Sequence, residues 1–272
     1  MFERTCRSLF LSFSLLGALL TASPASAQTE PARAYAAGSL TAALTKLIAA
    51  SGLANEIAKP VFGPAGGLRQ RIEKGEPADI FLSANMDHPR KLVADGRASL
   101  VIPFARNRLC VVARKDLGMT AGNMLDILLK PEVRLATSTP VIDPGGDYTW
   151  AAFDRVNAIR PGAKAVLEAK AIKVIGSNVL ASLPGKSLAA SVFLADKADA
   201  LIYYCSGAAG ALAEAPDLTM IPLPAEIDVP VLYGLTLLTA NIPAQRLALF
   251  ILSETGQTII EKNGLIAVAH AP

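Results

Sequence analysis

The sequence is poor in the residues that carry most cofactor chemistry. Two histidines and three cysteines, scattered along the chain, nearly exclude a structural zinc site, which takes four such ligands at short spacings. Aromatic residues make up 6% of the chain, with one Trp, so there is little to stack bases or sugars upon. Charged residues are only 18%, no run of like charge exceeds three residues, and the formal net charge is +3 from 26 basic and 23 acidic residues. That balance excludes the basic stripe of a nucleic-acid binder and any charged tail. What the chain does have is apolar mass. Hydrophobic residues are 52% of 272, the reverse of a disordered composition and enough for one large domain or two lobes.

Part of that apolar mass reads as an address. Arg4 and Arg7 precede the uncharged stretch from Leu9 to Leu20, which is shorter than the ~20 apolar residues a membrane span needs. Ala25-Ser26-Ala27 follows with the small residues of a cleavage site. Residues 1–27 are therefore expected to be a signal peptide, cut before Gln28. Cys6 lies ahead of the apolar run, so a lipoprotein anchor is not expected. The product is expected to be exported, and periplasmic in a Gram-negative host, where chemistry that depends on ATP or NAD has no supply. Cys110 and Cys205 then form an even pair in an oxidising compartment, either bridged or buried as thiols.

Along residues 28–272, short apolar runs alternate with helical spacings. Strands are expected at Ala34–Ala37, Ile57–Phe62, Asp79–Ser83, Leu109–Ala113, Arg134–Ala136, Ala200–Tyr204 and Val231–Leu238. Helices are expected at 40–50, 68–74, 86–95, 124–129, 147–156, 242–253 and 256–262. This βαβα order predicts an α/β fold with mostly parallel sheets flanked by helices. Ile102–Arg106 and the proline-rich Pro222–Pro230 read as connectors. They would divide the chain into one lobe of 28–107 and 230–272 and a second lobe of 108–229.

Three turns repeat one design: a strand ends, small residues follow, and a helix begins. They are Ala36-Ala37-Gly38-Ser39, Phe62-Gly63-Pro64-Ala65-Gly66-Gly67 and Asp143-Pro144-Gly145-Gly146. A helix N-terminus offers unpaired N–H groups and about half a positive charge. Capping alone explains any one of these turns. Three together, at the carboxyl ends of strands, would bind an anion without a formal cation.

The residues AAGSLTAALTKL (36–47) and IEKGEPADIFLSAN (72–85) resemble motifs of the periplasmic molybdate-binding proteins of ABC transporters. The likeness continues through LCVVARK (109–115), LATSTPVIDPGGDYTWAAF (135–153), ALIYYCSGA (200–208) and GQTIIEKNGL (256–265). The resemblance implies a type II, two-lobed binding protein with a two-strand hinge. It implies a monomer that closes on a tetrahedral oxyanion, performs no chemistry, needs no cofactor and hands its ligand to a membrane permease. Ser39 matches the family's first ligand serine, and Tyr204 its ligand tyrosine. Gly145 falls where a backbone N–H serves, and a further backbone donor is expected at Asn178 or Val179. The second ligand serine is replaced by Ala65, leaving its backbone N–H with those of Gly66 and Gly67. Losing one hydrogen bond to an anion costs about 1.5–3 kcal/mol, or roughly ten- to a hundredfold in affinity. Arg106 and Arg108, near the expected hinge, are candidates to replace it or are surface charges.

Other motifs carry less. Gly185-Lys186-Ser187 lacks the first glycine of a phosphate-binding loop, since Leu180 stands there. His88 and His270 read as surface residues without a metal partner. Asp143 and Asp147 are a possible carboxylate pair, with Asp147 read instead as a first-turn acid. No cation site is expected. The rival readings are a receptor for tungstate, sulfate, a phosphonate or a small organic acid, and a periplasmic enzyme or sensor on the same scaffold.

Overall fold

The computed structural model describes residues 1, 30–176 and 180–268. Residues 2–27 of the expected signal peptide, Asn178, Val179 and His270 lie outside the described residues. Two five-stranded sheets organise the rest. The first is built from β1 (Ala34–Ala37), β2 (Val61–Gly63), β3 (Ile80–Ser83), β4 (Ile102–Asn107) and β10 (Val231–Leu237), in the order β2-β1-β3-β10-β4. The second contains β5 (Leu109–Arg114), β6 (Leu135–Ser138), β7 (Ile172–Ile175), β8 (Ala200–Tyr204) and β9 (Leu218–Pro222), in the order β7-β6-β8-β5-β9. In each sheet four strands run one way and one is reversed: β10 in the first and β5 in the second. Each reversed strand is the first one entered after the chain crosses from the other sheet.

The crossings are short. Only Arg108 separates β4 from β5, and residues 223–230 join β9 to β10. The segment read as a connector at Ile102–Arg106 is therefore a strand. Pro103 is tolerated there because β4 is an edge strand, where a missing N–H breaks no ladder. Conversely, Ile57–Phe62 shrinks to Val61–Gly63, with Ile57 joined to Ala32 by an isolated bridge ahead of Pro60.

Ten helices cover the sheets among the described residues. The first sheet carries α1 (Thr41–Ala50), α2 (Ala65–Glu73), α3 (Asp87–Ala94), α9 (Ile242–Leu252) and α10 (Glu254–Lys262). The second carries α4 (Met124–Leu128), α5 (Pro144–Ile159), α6 (Ala163–Lys170), α7 (Leu188–Leu194) and α8 (Cys205–Glu214). The strands β1, β3 and β6 are buried at every position, as expected for parallel strands covered on both faces. Asp79 holds the base of the first sheet: its carboxylate accepts from the Arg33 N–H and guanidinium and from the Thr239 hydroxyl. Asp199 plays the same part in the second sheet, accepting from the Arg134 N–H and guanidinium. Cys110 and Cys205 are joined in a disulfide that closes a separation of 95 residues.

Among the described residues no helix is long and apolar enough to cross a membrane.

Candidate functional site

A cavity of about 490 Å³ lies between the two sheets, at the carboxyl ends of β1, β2, β3, β6, β7 and β8. Parallel strands followed by helices put loops and helix N-termini at that edge, which is where ligands of α/β sheets bind. Ser39 enters from the turn between β1 and α1, and Ala65 from the first position of α2. Ser138 ends β6, and Asp143 immediately precedes α5. Tyr203 and Tyr204 end β8, and Lys186 arrives from the segment before α7.

The first half of the site is a chain of hydroxyl and amide groups. The Ser39 hydroxyl lies 3.0 Å from the Tyr233 hydroxyl. The Asn107 amide donates to Tyr233 Oη at 3.1 Å and to Ser206 Oγ at 2.8 Å. Tyr233 is fully buried, and burial raises its phenol pKa, so it keeps its proton and positions Ser39. The Tyr204 ring lies 5.9 Å from that of Tyr233. Its hydroxyl is buried and has no hydrogen-bond partner among the described residues. Burial raises its pKa well above the ordinary tyrosine value, so it too is a donor. A buried donor left unpaired costs on the order of 1–3 kcal/mol, a cost that an acceptor in the cavity would relieve.

Three of the backbone donors expected from the turns, at Gly66, Gly67 and Gly145, are engaged elsewhere. The Gly66 and Gly67 N–H groups both donate to the Ile142 carbonyl, at 3.0 and 3.3 Å. This ties the N-terminus of α2, on the first sheet, to the loop before α5, on the second. The approach is too close for a side chain, since a Cβ at Gly66 would lie 2.2 Å from the Val141 carbonyl oxygen. Val141 itself is held at φ 71°, a region β-branched residues rarely occupy. The Gly145 N–H donates to Asp143 Oδ1 at 2.7 Å. Gly66 and Gly145 are thus beside the cavity without lining it, whereas Ser39, Ala65 and Tyr204 do line it.

Asp143 is the residue whose role the sequence hid. It is the N-cap of α5, with Pro144 at the first helical position. Its carboxyl is pushed up to about 6, mainly by burial, with the nearby Asp147 adding to the effect. Asp147 does lie in the first turn, but its carboxylate accepts from the Val141 N–H at 2.7 Å. Asn107 and Tyr233 were also not among the expected site residues. Nothing local marks them, because they meet Ser39 only through the pairing of β10 with β3 and β4.

Arg106 and Arg108 do not reach the cleft. Both line a separate cavity of about 470 Å³ at the crossing between the sheets, where Arg108 pairs with Asp228 at 3.0 Å. His88 is buried rather than exposed, and burial lowers its pKa to about 4. Among the described residues no group of three or more His, Cys, Asp or Glu is placed to hold a metal ion.

A family model described as "Bacterial extracellular solute-binding protein" matches residues 32–266. An uncharacterized protein of Pasteurella multocida (strain Pm70), PM1146, is 37% identical over 212 residues, covering 77% of this chain and 87% of that protein. The periplasmic molybdate-binding protein of Azotobacter vinelandii superposes with a TM-score of 0.67 at 17% identity, covering 88% of this chain and 100% of that one. The periplasmic binding protein AfuA of Actinobacillus pleuropneumoniae, solved with fructose-6-phosphate, superposes with a TM-score of 0.63 at 14% identity, covering 89% and 88%. At these identities the superpositions establish the type II binding-protein fold.

Proposed function

Because the chain belongs to the bacterial extracellular solute-binding protein family, we propose that it is a periplasmic receptor for a small anion. It would act as a monomer, close its two lobes on the solute and present it to the permease of an ABC importer. The carrying observation is the Tyr204 hydroxyl, buried without a partner among the described residues, on a residue that lines the cavity from one sheet while Ser39 lines it from the other. A ligand oxygen accepting from both hydroxyls would join the lobes, as in hinge closure around a solute. Excluding water on closure strengthens each such bond. No cofactor is needed for this, and the family and its structural neighbours are binding proteins.

Molybdate is the ligand suggested by the sequence motifs. Three features of the cleft support the rival reading of a different anion. Ala65 contributes no hydroxyl, the Gly66 and Gly67 amides are engaged by Ile142, and Asp143 occupies the N-terminus of α5. The cavity, at about 490 Å³, also falls in the range of sites for small organic molecules. Neighbours of this fold are named for molybdate in one case and hold fructose-6-phosphate in another, so the fold leaves the choice to the lining.

The test is calorimetry of the protein beginning at Gln28 against molybdate, tungstate, sulfate, phosphate and methylphosphonate. Saturable heat with one ligand per chain is expected for at least one of these. No heat with any of them contradicts the receptor reading.

A further inference from the structure

We propose that Asp143 selects the solute by its protonation. The cleft takes an oxyanion that still carries an acid hydrogen, as phosphate and alkylphosphonates do near neutral pH, and rejects fully deprotonated dianions such as sulfate and molybdate. This rests on the reading of the cleft as an anion receptor and adds the class of anion.

The geometry is specific. The N-terminus of a helix ordinarily attracts an anion, but α5 already has one of the protein's own, since Asp143 Oδ1 accepts from the Gly145 N–H at 2.7 Å. The same residue lines the cavity, with Ser39, Ser138 and Tyr204. An ionised carboxylate can only accept hydrogen bonds. A solute oxygen that carries a proton can donate to it, and such a charge-assisted bond is strong. A solute oxygen that carries none meets like charge and no shared proton. The donors facing Asp143 do not cancel this repulsion. Tyr203 and Tyr204 from β8 and Tyr233 from β10 are neutral phenols. Asp147, on the same helix, is a second negative group. The one basic side chain lining the cavity among the described residues is Lys186, which is solvent-exposed.

The arrangement also predicts how selectivity depends on pH. Burial holds the Asp143 carboxyl near 6. Below that pH the group is protonated, becomes a donor and stops excluding dianions. Sulfate is the informative probe because its charge does not change between pH 5 and 8.

The experiment compares the wild-type protein with Asp143→Asn, and with Asp143→Ser as a second variant. Asn and Ser both cap helices well, so α5 should form in each. At pH 7 the wild type is expected to bind phosphate or methylphosphonate at least tenfold more tightly than sulfate or molybdate. In both variants that ratio should fall at least tenfold. Wild-type affinity for sulfate should rise from pH 8 to pH 5, while that of Asp143→Asn stays flat. Wild-type protein that binds sulfate or molybdate as tightly as phosphate overturns the role of Asp143 and leaves the receptor reading intact. An unchanged ratio in both variants does the same. Binding of none of these four anions overturns this inference, and binding of no anion of the calorimetric panel, tungstate included, overturns the receptor reading with it.

Discussion

Replacing Cys110 and Cys205 together by alanine is expected to lower the unfolding free energy by about 2–5 kcal/mol. The two residues are 95 apart in sequence. In the chain-entropy account, a cross-link over a loop of about 100 residues removes enough freedom from the unfolded chain to stabilise the fold by ~4.7 kcal/mol. The native side loses little, because β5 and β8 are already paired with Leu109 opposite Tyr204 and Cys110 opposite Tyr203. For a domain of this size the unfolding midpoint should drop on the order of 10 °C. Urea unfolding of the double variant, with and without reductant beside the wild type, is the check. A loss below about 1 kcal/mol would mean that the unfolded chain gains nothing from release of the link. The bridge has a second consequence, because it fixes the end of β8 and so the strand position of Tyr204.

The second large effect concerns acid and stability. Asp143→Asn should make the unliganded protein more stable at pH 8 by about 1–3 kcal/mol. The Asp143 carboxyl is raised from 3.8 to about 6, chiefly by burial, and each unit is worth about 1.4 kcal/mol. A folded pKa above the unfolded one means that the native state binds the proton more tightly. The stabilisation from that proton is complete below about pH 4 and is lost as pH rises through about 6. The amide keeps the cap without the charge, so it should recover what the carboxylate loses. The lower part of the range applies to the extent that the carboxylate is open to the cavity. Denaturant unfolding at pH 4, 6 and 8 should show the gain growing with pH and vanishing at pH 4. A gain independent of pH, or a loss at pH 8, would contradict this account of Asp143.

The architecture was legible because both of its periods are strong. Runs such as Ile80–Ser83 and Val231–Leu237 are mostly apolar and mostly buried, and they alternate with helical spacings. The omissions have physical causes. Cys205–Glu214 is rich in Ala and Gly, so α8 shows no apolar stripe. In β7 the first two residues are exposed, which breaks the pattern of a buried strand. The starts of α2 and α5 were placed three residues late because Ala-Gly-Gly and Pro-Gly-Gly carry no periodicity. Asp143 followed by Pro144 is nonetheless a legible start signal, an N-cap residue before proline at the first helical position.

The site was half legible for a related reason. Side chains such as Ser39 and Tyr204 are visible in a sequence, and both line the cavity. Whether a backbone N–H is available depends on what the rest of the chain places against it. Gly66, Gly67 and Gly145 stand where the turns were expected to offer N–H donors, yet Ile142 and Asp143 accept those hydrogen bonds. The same turns that could have cradled a bare dianion instead hold the lobes together and carry a carboxylate.

The central claim is that the Tyr204 hydroxyl donates to a bound anion in this cleft. Its most direct test is the affinity of Tyr204→Phe for whichever anion of the calorimetric panel binds the wild type most tightly, measured beside the unfolding midpoint of the unliganded variant. The account predicts a loss of about ten- to a hundredfold in affinity with a midpoint equal to or above that of the wild type, because the lost hydroxyl has no protein partner among the described residues. Unchanged affinity would contradict it.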